Sequence, residues 1–354
     1  ALFDGARFDT SAKANELRTA MLQFWRDFRQ ECPELLVETR GTNLSSGVDL
    51  SSDGVPLKEI YRDFGIVAPP NSPWAAINGD LGLELMGWMS HIAELPATGA
   101  FPFRFYIHDP WFLNSPWLDR YCRQPHDIYL PLSVARLDRE GEVQDPDSIE
   151  FLTIDDSRGR MPDQVPLEVI PHIREAWRTR PDEAGPFTWI YPFDLYHSFT
   201  FEQHARIGEP FFGDWIVRNA LNDGLPLNTV MSEQNFVSLK SRDATPLANA
   251  VLVTHAPDAG SEMAEALIQH VTSGGKAILY GPLEHTDPQL RSALGVTIGD
   301  ALENDLQVTL SPKARRHADD AAYATRLVHE THLSGGGLRE VVQRSQDQNV
   351  EVLA

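Results

Sequence analysis

Strand, helix and strand alternate in the last third of the chain, and this pattern constrains the fold more than any other feature. Apolar runs at 248–254 and 276–280 flank a stretch at 261–273 whose apolar residues recur with helical spacing. Gly274-Gly275 follows that stretch, as is typical of the C-terminal end of a helix. This order predicts a right-handed βαβ unit in a doubly wound parallel sheet.

The same alternation extends over most of the chain and indicates the α/β class. Other strands are predicted at 1–8, 34–38, 103–107, 128–137, 187–192 and 227–231, with a short apolar run at 149–154. Helices are predicted at 11–31, 81–92, 168–178 and 208–222. In the first helix, a buried stripe is predicted from the spacing of Leu17, Met21, Phe24, Trp25 and Phe28. Residues 41–80 are rich in Gly, Ser, Asp and Pro and are predicted to be mainly loop.

The length of 354 residues suggests two domains, or three. Changes in composition predict a first domain at 1–140, an insertion or linker at 141–186 and a last domain at 187–354. The chain opens without Met or a signal-peptide pattern, directly on an apolar run that reads as a buried strand. We therefore expect the N-terminus to be a cut within a longer protein. The compartment stays open between cytoplasmic and secreted.

The charge balance argues against nucleic acid as a partner. Thirty Lys and Arg face 51 Asp and Glu, which gives a net charge of −21 that repels phosphate backbones. The absence of an apolar run of membrane-spanning length predicts no membrane partner. The two cysteines, Cys32 and Cys122, form neither a disulfide framework nor a zinc knuckle. No Gly-x-Gly-x-x-Gly follows a strand, so no cofactor is predicted. His204, His255 and His285 lack the spacing of metal ligands, so no metal is predicted.

Three clusters of polar residues fall at the ends of predicted strands. In Asp4-Gly-Ala-Arg-Phe-Asp9, strand alternation places Arg7 and Asp9 on the same face, where the guanidinium would keep the carboxylate ionised. Glu38 follows a short apolar strand, with Arg40 directly after it. His108-Asp109 follows the strand at 103–107. A structural ion pair, a capping carboxylate and an Asp turn are the respective alternatives.

In this order, the three clusters resemble the α-amylase-type superfamily of (β/α)8-barrel glycoside hydrolases. The resemblance implies that Asp9 is the nucleophile with Arg7 as its partner, and that Glu38 is the acid/base. It also implies that Asp109, with His108, binds the sugar and stabilises the transition state. A retaining glycosidase needs two carboxyl groups about 5–5.5 Å apart, one to attack and one to protonate the leaving oxygen.

Tryptophan and asparagine add a second sign of a carbohydrate substrate. The tetrapeptide Asn-Ser-Pro-Trp occurs twice, ending at Trp74 and at Trp117. Indole rings stack on the apolar faces of sugars, so Trp74, Trp111 and Trp117, with Asn114 and Arg40, are candidate substrate-binding residues. Trp88 also falls within or beside the loops of the predicted barrel and supports a sugar site in the same way. Core packing is the alternative for any single tryptophan.

The segment at 187–300 resembles the class I glutamine-amidotransferase-like, flavodoxin-like domain that follows the barrel in family 42 β-galactosidases. The resemblance rests on Ala250–Thr254 and on the run from Gly274 to Gly281. No Gly-x-Cys-x-Gly nucleophile elbow occurs there, which leaves roles in assembly as a homo-oligomer or in shaping the active-site rim. Residues 191–197 end a predicted strand and are a weaker candidate for a ligand-binding edge.

These features together predict an α/β protein: the C-terminal half of a (β/α)8 barrel, followed by a flavodoxin-like doubly wound domain. The expected activity is hydrolysis of an oligo- or polysaccharide by a retaining mechanism. Two alternatives stay open. One is a non-catalytic carbohydrate-binding protein on the same scaffold. The other is a barrel isomerase or lyase in which Asp9, Glu38 and His108 act as acid/base groups.

Overall fold

The structure is a computed structural model that describes residues 1–9, 13–37, 45–66, 80–93, 102–108, 126–146, 148–153, 163–242, 247–301 and 339–343. It confirms the α/β class, since the described residues combine helices with a mostly parallel sheet. The chain divides into two compact units. The first contains Ala1–His255 and His270–Tyr280, and the second contains Ala256–Gln269 and Gly281–Ala354. The barrel and the domain boundaries at 140 and 186 stay predictions.

The α-helices of the described residues are Lys13–Glu31 (α1), Ser46–Ser51 (α2), Leu57–Phe64 (α3), Leu81–Ala93 (α4), His126–Leu132 (α5), Gln164–Arg178 (α6), Phe193–Phe201 (α7), Glu209–Asn222 (α8), Glu233–Arg242 (α9), Glu262–Thr272 (α10) and Pro288–Leu294 (α11). The strands are Pro102–His108 (β1), Ala135–Leu137 (β2), Val143–Gln144 (β3), Ser148–Thr153 (β4), Phe187–Tyr191 (β5), Thr229–Ser232 (β6), Val251–His255 (β7), Lys276–Tyr280 (β8), Val296–Ala301 (β9) and Arg339–Gln343 (β10). In this part of the chain, no helix combines the length and apolar character that crossing a bilayer requires.

The main sheet has six strands in the order β3-β2-β6-β5-β7-β8. All neighbours are parallel except the short pair β2 and β3. The predicted strand–helix–strand order is confirmed, because β7 and β8 are parallel neighbours with α10 between them in sequence, while the right-handed crossover stays a prediction. From β5 the chain reaches β6 on one side, and β7 then pairs on the other side of β5. The carboxyl ends of β5 and β7 therefore flank the topological switch point.

The core of the first unit is built on the sheet and on helices that approach each other at glycines. Trp189 and Tyr191 of β5 are fully buried, as is Tyr196 of α7. Trp88 of α4 is also buried, which confirms core packing as its role. A Cβ added at Gly213 of α8 would overlap the hydroxyl of Tyr196, so only glycine allows this close approach.

The predicted strand at 1–8 is wrong. The segment instead holds a single antiparallel bridge, between Phe3 and Phe8. The Asp4 side chain accepts hydrogen bonds from the backbone N–H groups of Ala6 and Arg7 at 2.9 and 2.8 Å, and Gly5 has a φ of 99°. These contacts form an Asx-type turn, which reverses the chain where an extended strand was expected.

The predicted stripe of α1 is only half-buried. Trp25 and Phe28 retain exposed surface, and Phe24 is 59 % exposed. The three rings contact one another, with centroids 5.3–6.3 Å apart. The start of the helix packs on the core through Ala14 and Leu17, whereas the aromatic face near its end is not a core face.

The strand predicted at 34–38 is wrong over its described residues, 34–37, which form a turn and irregular chain with Leu36 86 % exposed. Two further predictions between residues 41 and 137 need correction. Residues 126–132 form α5, and only 135–137 extend as β2, although the whole of 128–137 was predicted as a strand. The predicted loop region at 41–80 contains α2 and α3. Both helices carried end signals in the sequence, since Ser45 caps α2 and Gly65 adopts the left-handed conformation at the end of α3.

A separate two-stranded sheet pairs β1 with β4 in parallel. Phe103 lies opposite Ile149, and His108, the last residue of β1, lies opposite Thr153, the last residue of β4. The two strands therefore end at the same edge. In the second unit, β9 and β10 form an antiparallel pair.

Candidate functional site

The structure describes three of the predicted site residues. Asp9 and Arg7 lie in the N-terminal turn, and His108 ends β1. The other seven lie outside the described residues: Glu38, Arg40, Trp74, Asp109, Trp111, Asn114 and Trp117. The separation of the two proposed catalytic carboxyl groups, Asp9 and Glu38, therefore stays a prediction.

Asp9 carries a partly exposed carboxylate at the end of the N-terminal turn. Its backbone N–H donates to the Leu2 carbonyl oxygen at 2.7 Å, and Leu2 is itself hydrogen-bonded to Ser52. Its Oδ2 lies 3.9 Å from Nζ of Lys13, and 37 % of the side chain is exposed. Arg7 is also exposed, but the strand that was expected to put Arg7 and Asp9 on one face is not formed.

Two carboxyl groups lie where the neighbouring strands β5 and β6 end. Asp194 accepts from Lys58 Nζ at 2.7 Å and from Gln234 Nε2 at 3.0 Å. Glu233, half-buried, accepts from the Leu195 backbone N–H at 3.4 Å. Burial, followed by the charge of Asp194, raises the pKa of Glu233 to about 8. Near neutral pH this edge therefore holds the protonated carboxyl group of Glu233 beside Asp194. The Lys58 ammonium group pairs with Asp194.

A third carboxyl group, Asp214 of α8, is 1 % exposed and lies inside the first unit. Its Oδ2 accepts from the Gly47 N–H at 3.1 Å and from the Tyr191 hydroxyl at 3.3 Å. Burial raises the pKa of Asp214 to about 7, although hydrogen bonds from Ser45, Gly47 and Tyr191 oppose the shift. The carboxyl joins α2, β5 and α8 in one buried polar network.

The switch point between β5 and β7 is filled by side chains. His255, at the end of β7, has its ring in edge contact with Tyr196 and Tyr280, at centroid distances of 5.6 Å. Its Nε2 lies 3.5 Å from Glu209, whose carboxylate pairs with Arg206 at 2.7 Å. His255 is 1 % exposed, so this group supports packing at the switch point.

A serine, a histidine and an aspartate come together between α2 and α4. Ser46 Oγ lies 3.2 Å from Nδ1 of His91, and His91 Nε2 lies 3.7 Å from the Asp49 carboxylate. The combination resembles a hydrolase triad in composition only. All three side chains are buried, so the hydroxyl does not reach a surface where a substrate could approach it.

Sequence reasoning identified the edge at 191–197 but not Asp214 or Glu233. The available signal for Glu233 was its position directly after a predicted strand. The sequence gives no such signal for Asp214, because it lies within a helix. Its hydrogen-bond partners belong to α2 and β5, which are distant in sequence.

Within the described ranges, no three His, Cys, Asp or Glu side chains are grouped as a metal site would require. Comparisons of the chain with protein-family models, curated proteins and solved structures found no match. The assignment of a function therefore depends on the residues themselves.

Proposed function

We propose that the chain belongs to a retaining glycoside hydrolase that acts on an oligo- or polysaccharide. In this proposal Asp9 attacks the anomeric carbon, and Glu38 protonates the leaving oxygen and later activates water. Asp109, with His108, binds the sugar and stabilises the positive charge that develops on it. Residues 1–140 would supply strands of a (β/α)8 barrel.

The observation that carries this proposal is the position of His108. It is the last residue of β1, whose parallel partner β4 ends at the same edge. Active sites of (β/α)8 barrels are built at the carboxyl ends of parallel strands, from residues that directly follow them. His108-Asp109 has this relation to β1.

The last domain is proposed to be glutamine-amidotransferase-like and flavodoxin-like. In a flavodoxin-like sheet the first strand lies between the second and the third, and the fourth lies beside the third. The order β6-β5-β7-β8 has this pattern when β5 is counted as the first strand, which supports the proposal. Neither cysteine lies between 187 and 354, so amidotransferase chemistry is not proposed for it. Its proposed roles are assembly and shaping of the active-site rim.

The test is Asp9→Asn in the full-length protein, with Asp27→Asn on the exposed side of α1 as the matched control. Release of reducing sugar is measured from starch, from cellulose oligosaccharides and from aryl α- and β-glycosides. We expect turnover by the natural chain and by the control, no turnover by Asp9→Asn, and an unchanged circular dichroism spectrum. Normal activity of Asp9→Asn would exclude Asp9 as the nucleophile.

One observation favours the non-catalytic alternative. The strand that was expected to place Arg7 and Asp9 on one face is not formed, so the expected pairing of the nucleophile with Arg7 has lost its structural basis. Sugar binding without hydrolysis by the natural chain would support this alternative. Conversion of a sugar without release of a reducing end would instead support the isomerase or lyase.

A further inference from the structure

Five aromatic side chains form a continuous surface beside Asp9, which we call the aromatic surface. Its members are Phe3, Phe8, Phe211, Phe212 and Trp215. The ring centroids of Phe3 and Phe8 lie 4.6 Å apart with the planes tilted by 30°, and both rings contact Phe211, at 5.5 and 5.7 Å. Trp215 continues the row from Phe211, at 5.5 Å.

All five rings are half-buried, unlike the aromatic residues of the core. Trp189 and Tyr196 have no exposed surface, whereas each ring of the aromatic surface keeps some. The opposite side of α8 carries the buried Gly213 and Asp214, so the helix presents a packed side and an aromatic side. Partly exposed aromatic rings that lie next to one another can bind a ligand with an apolar face.

The indole of Trp215 is held in place from one side. The Arg218 guanidinium lies over its ring at 4.0 Å, and Arg218 is fixed by an ion pair with Asp80. A ring held in this way loses little conformational freedom when a ligand packs against it.

The polar groups next to the aromatic surface indicate what it binds. Asp9 directly follows Phe8, its carboxylate is 37 % exposed, and the Lys13 side chain beside it is 46 % exposed. Arg7 is exposed as well. Groups of both signs suit a neutral ligand that offers many hydroxyls, and flat aromatic rings suit a ligand with apolar C–H faces. A sugar ring has both properties.

We infer that the aromatic surface binds sugar rings of a neutral oligosaccharide and leads them to Asp9. The inference rests on the proposed function for the identity of the ligand, but not on turnover. It assigns Phe8, Phe211 and Trp215 as stacking residues, and it gives the N-terminal turn a binding role in addition to its packing on α8.

The experiment measures binding separately from hydrolysis. Isothermal titration with maltoheptaose and with cellohexaose is carried out on the full chain and on Phe211→Leu, Trp215→Phe and the control Phe24→Leu. Phe24 is the exposed aromatic residue of α1 and does not belong to the aromatic surface. Tryptophan fluorescence is recorded in the same titrations, and circular dichroism with thermal unfolding checks that each variant is folded.

We expect at least one of the two sugars to bind the natural chain, with its affinity reduced about tenfold or more in Phe211→Leu, a loss of roughly 1.4 kcal/mol. Trp215→Phe should lose the sugar-dependent change in fluorescence, and Phe24→Leu should bind like the natural chain. If Phe211→Leu does not fold, Trp215→Phe alone decides between the outcomes.

The inference would be overturned if neither sugar binds, or if the sugar binds equally well to all variants. It would also be overturned if Phe211→Leu leaves sugar binding unchanged and alters only the oligomeric state, as measured by analytical ultracentrifugation. The last result would make the aromatic surface a contact between two copies. Hydrolysis that persists in the aromatic variants with unchanged affinity would reject the aromatic surface and leave the glycosidase proposal intact. Sugar binding on the aromatic surface together with normal turnover by Asp9→Asn would support the aromatic surface and reject Asp9 as the nucleophile.

Discussion

Substitution of Asp214 tests the buried hydrogen-bond network that Asp214 of α8 forms with Gly47 and Tyr191. Burial raises its pKa from 3.8 to about 7, so between these values the folded chain keeps a proton that the unfolded chain releases. Raising the pH through this window therefore favours unfolding. A shift of about three pH units corresponds to about 4 kcal/mol, since each unit contributes about 1.36 kcal/mol.

We therefore expect the natural chain to lose up to about 4 kcal/mol of unfolding free energy between pH 4 and pH 8 through this one group. In Asp214→Asn the loss disappears, because the amide has no proton to release in this range. Its oxygen still accepts from the Gly47 N–H and the Tyr191 hydroxyl, so the two chains should have similar stability near pH 4. Near pH 8 the variant should be the more stable.

The measurement is urea unfolding at one-unit pH intervals, followed by circular dichroism. Asp27→Asn, an exposed carboxyl on α1, is the control and should show the slope of the natural chain. Tyr196 and Tyr280 also surround Asp214, but their pKa values are raised above 10, so they do not titrate in this range. Equal slopes for Asp214→Asn and the natural chain would refute the reasoning.

Two other predictions concern packing and charge within the first unit. Burial would raise the pKa of Glu59, but His197 and Arg18 hold it near 2. The contribution of Glu59 to the unfolding free energy, about 3 kcal/mol, should therefore be lost as the pH falls from 4.5 toward 2. Glu59→Gln should abolish this acid-dependent loss in urea unfolding, and a retained loss would contradict the assignment. Gly213→Ala should cost about 1–3 kcal/mol, because its methyl group overlaps the Tyr196 hydroxyl. The double variant Gly213→Ala/Tyr196→Phe should recover part of that cost in thermal unfolding, and no recovery would contradict the overlap.

The βαβ unit could be predicted because its signals are local. Apolar runs define β7 and β8, the helical spacing defines α10, and Gly274 has the positive φ, 91°, that a glycine after a helix permits. The order of the strands in the sequence does not specify their order in the sheet. The pairing of β2 with β6 therefore could not be predicted from these local signals.

The wrong predictions arise where the outcome depends on contacts rather than on spacing. The apolar spacing of α1 indicates an apolar face but does not say whether another element covers it, and Phe24 is exposed. At the N-terminus, Asp4-Gly5 was a turn signal inside an apolar run, and two side-chain-to-backbone hydrogen bonds favoured the turn over the strand.

Asp214 and Asp9 separate two properties expected of a catalytic carboxyl group, a perturbed pKa and access to substrate. Asp214 has the environment often found at catalytic acids, with a pKa of about 7, but it is 1 % exposed and its hydrogen bonds join α2, β5 and α8. A nucleophile must contact its substrate, and Asp9 has an accessible carboxylate beside half-exposed aromatic rings. Burial therefore explains the raised pKa of Asp214 as a consequence of packing, and the nucleophile of the proposal stays Asp9, whose carboxylate is accessible.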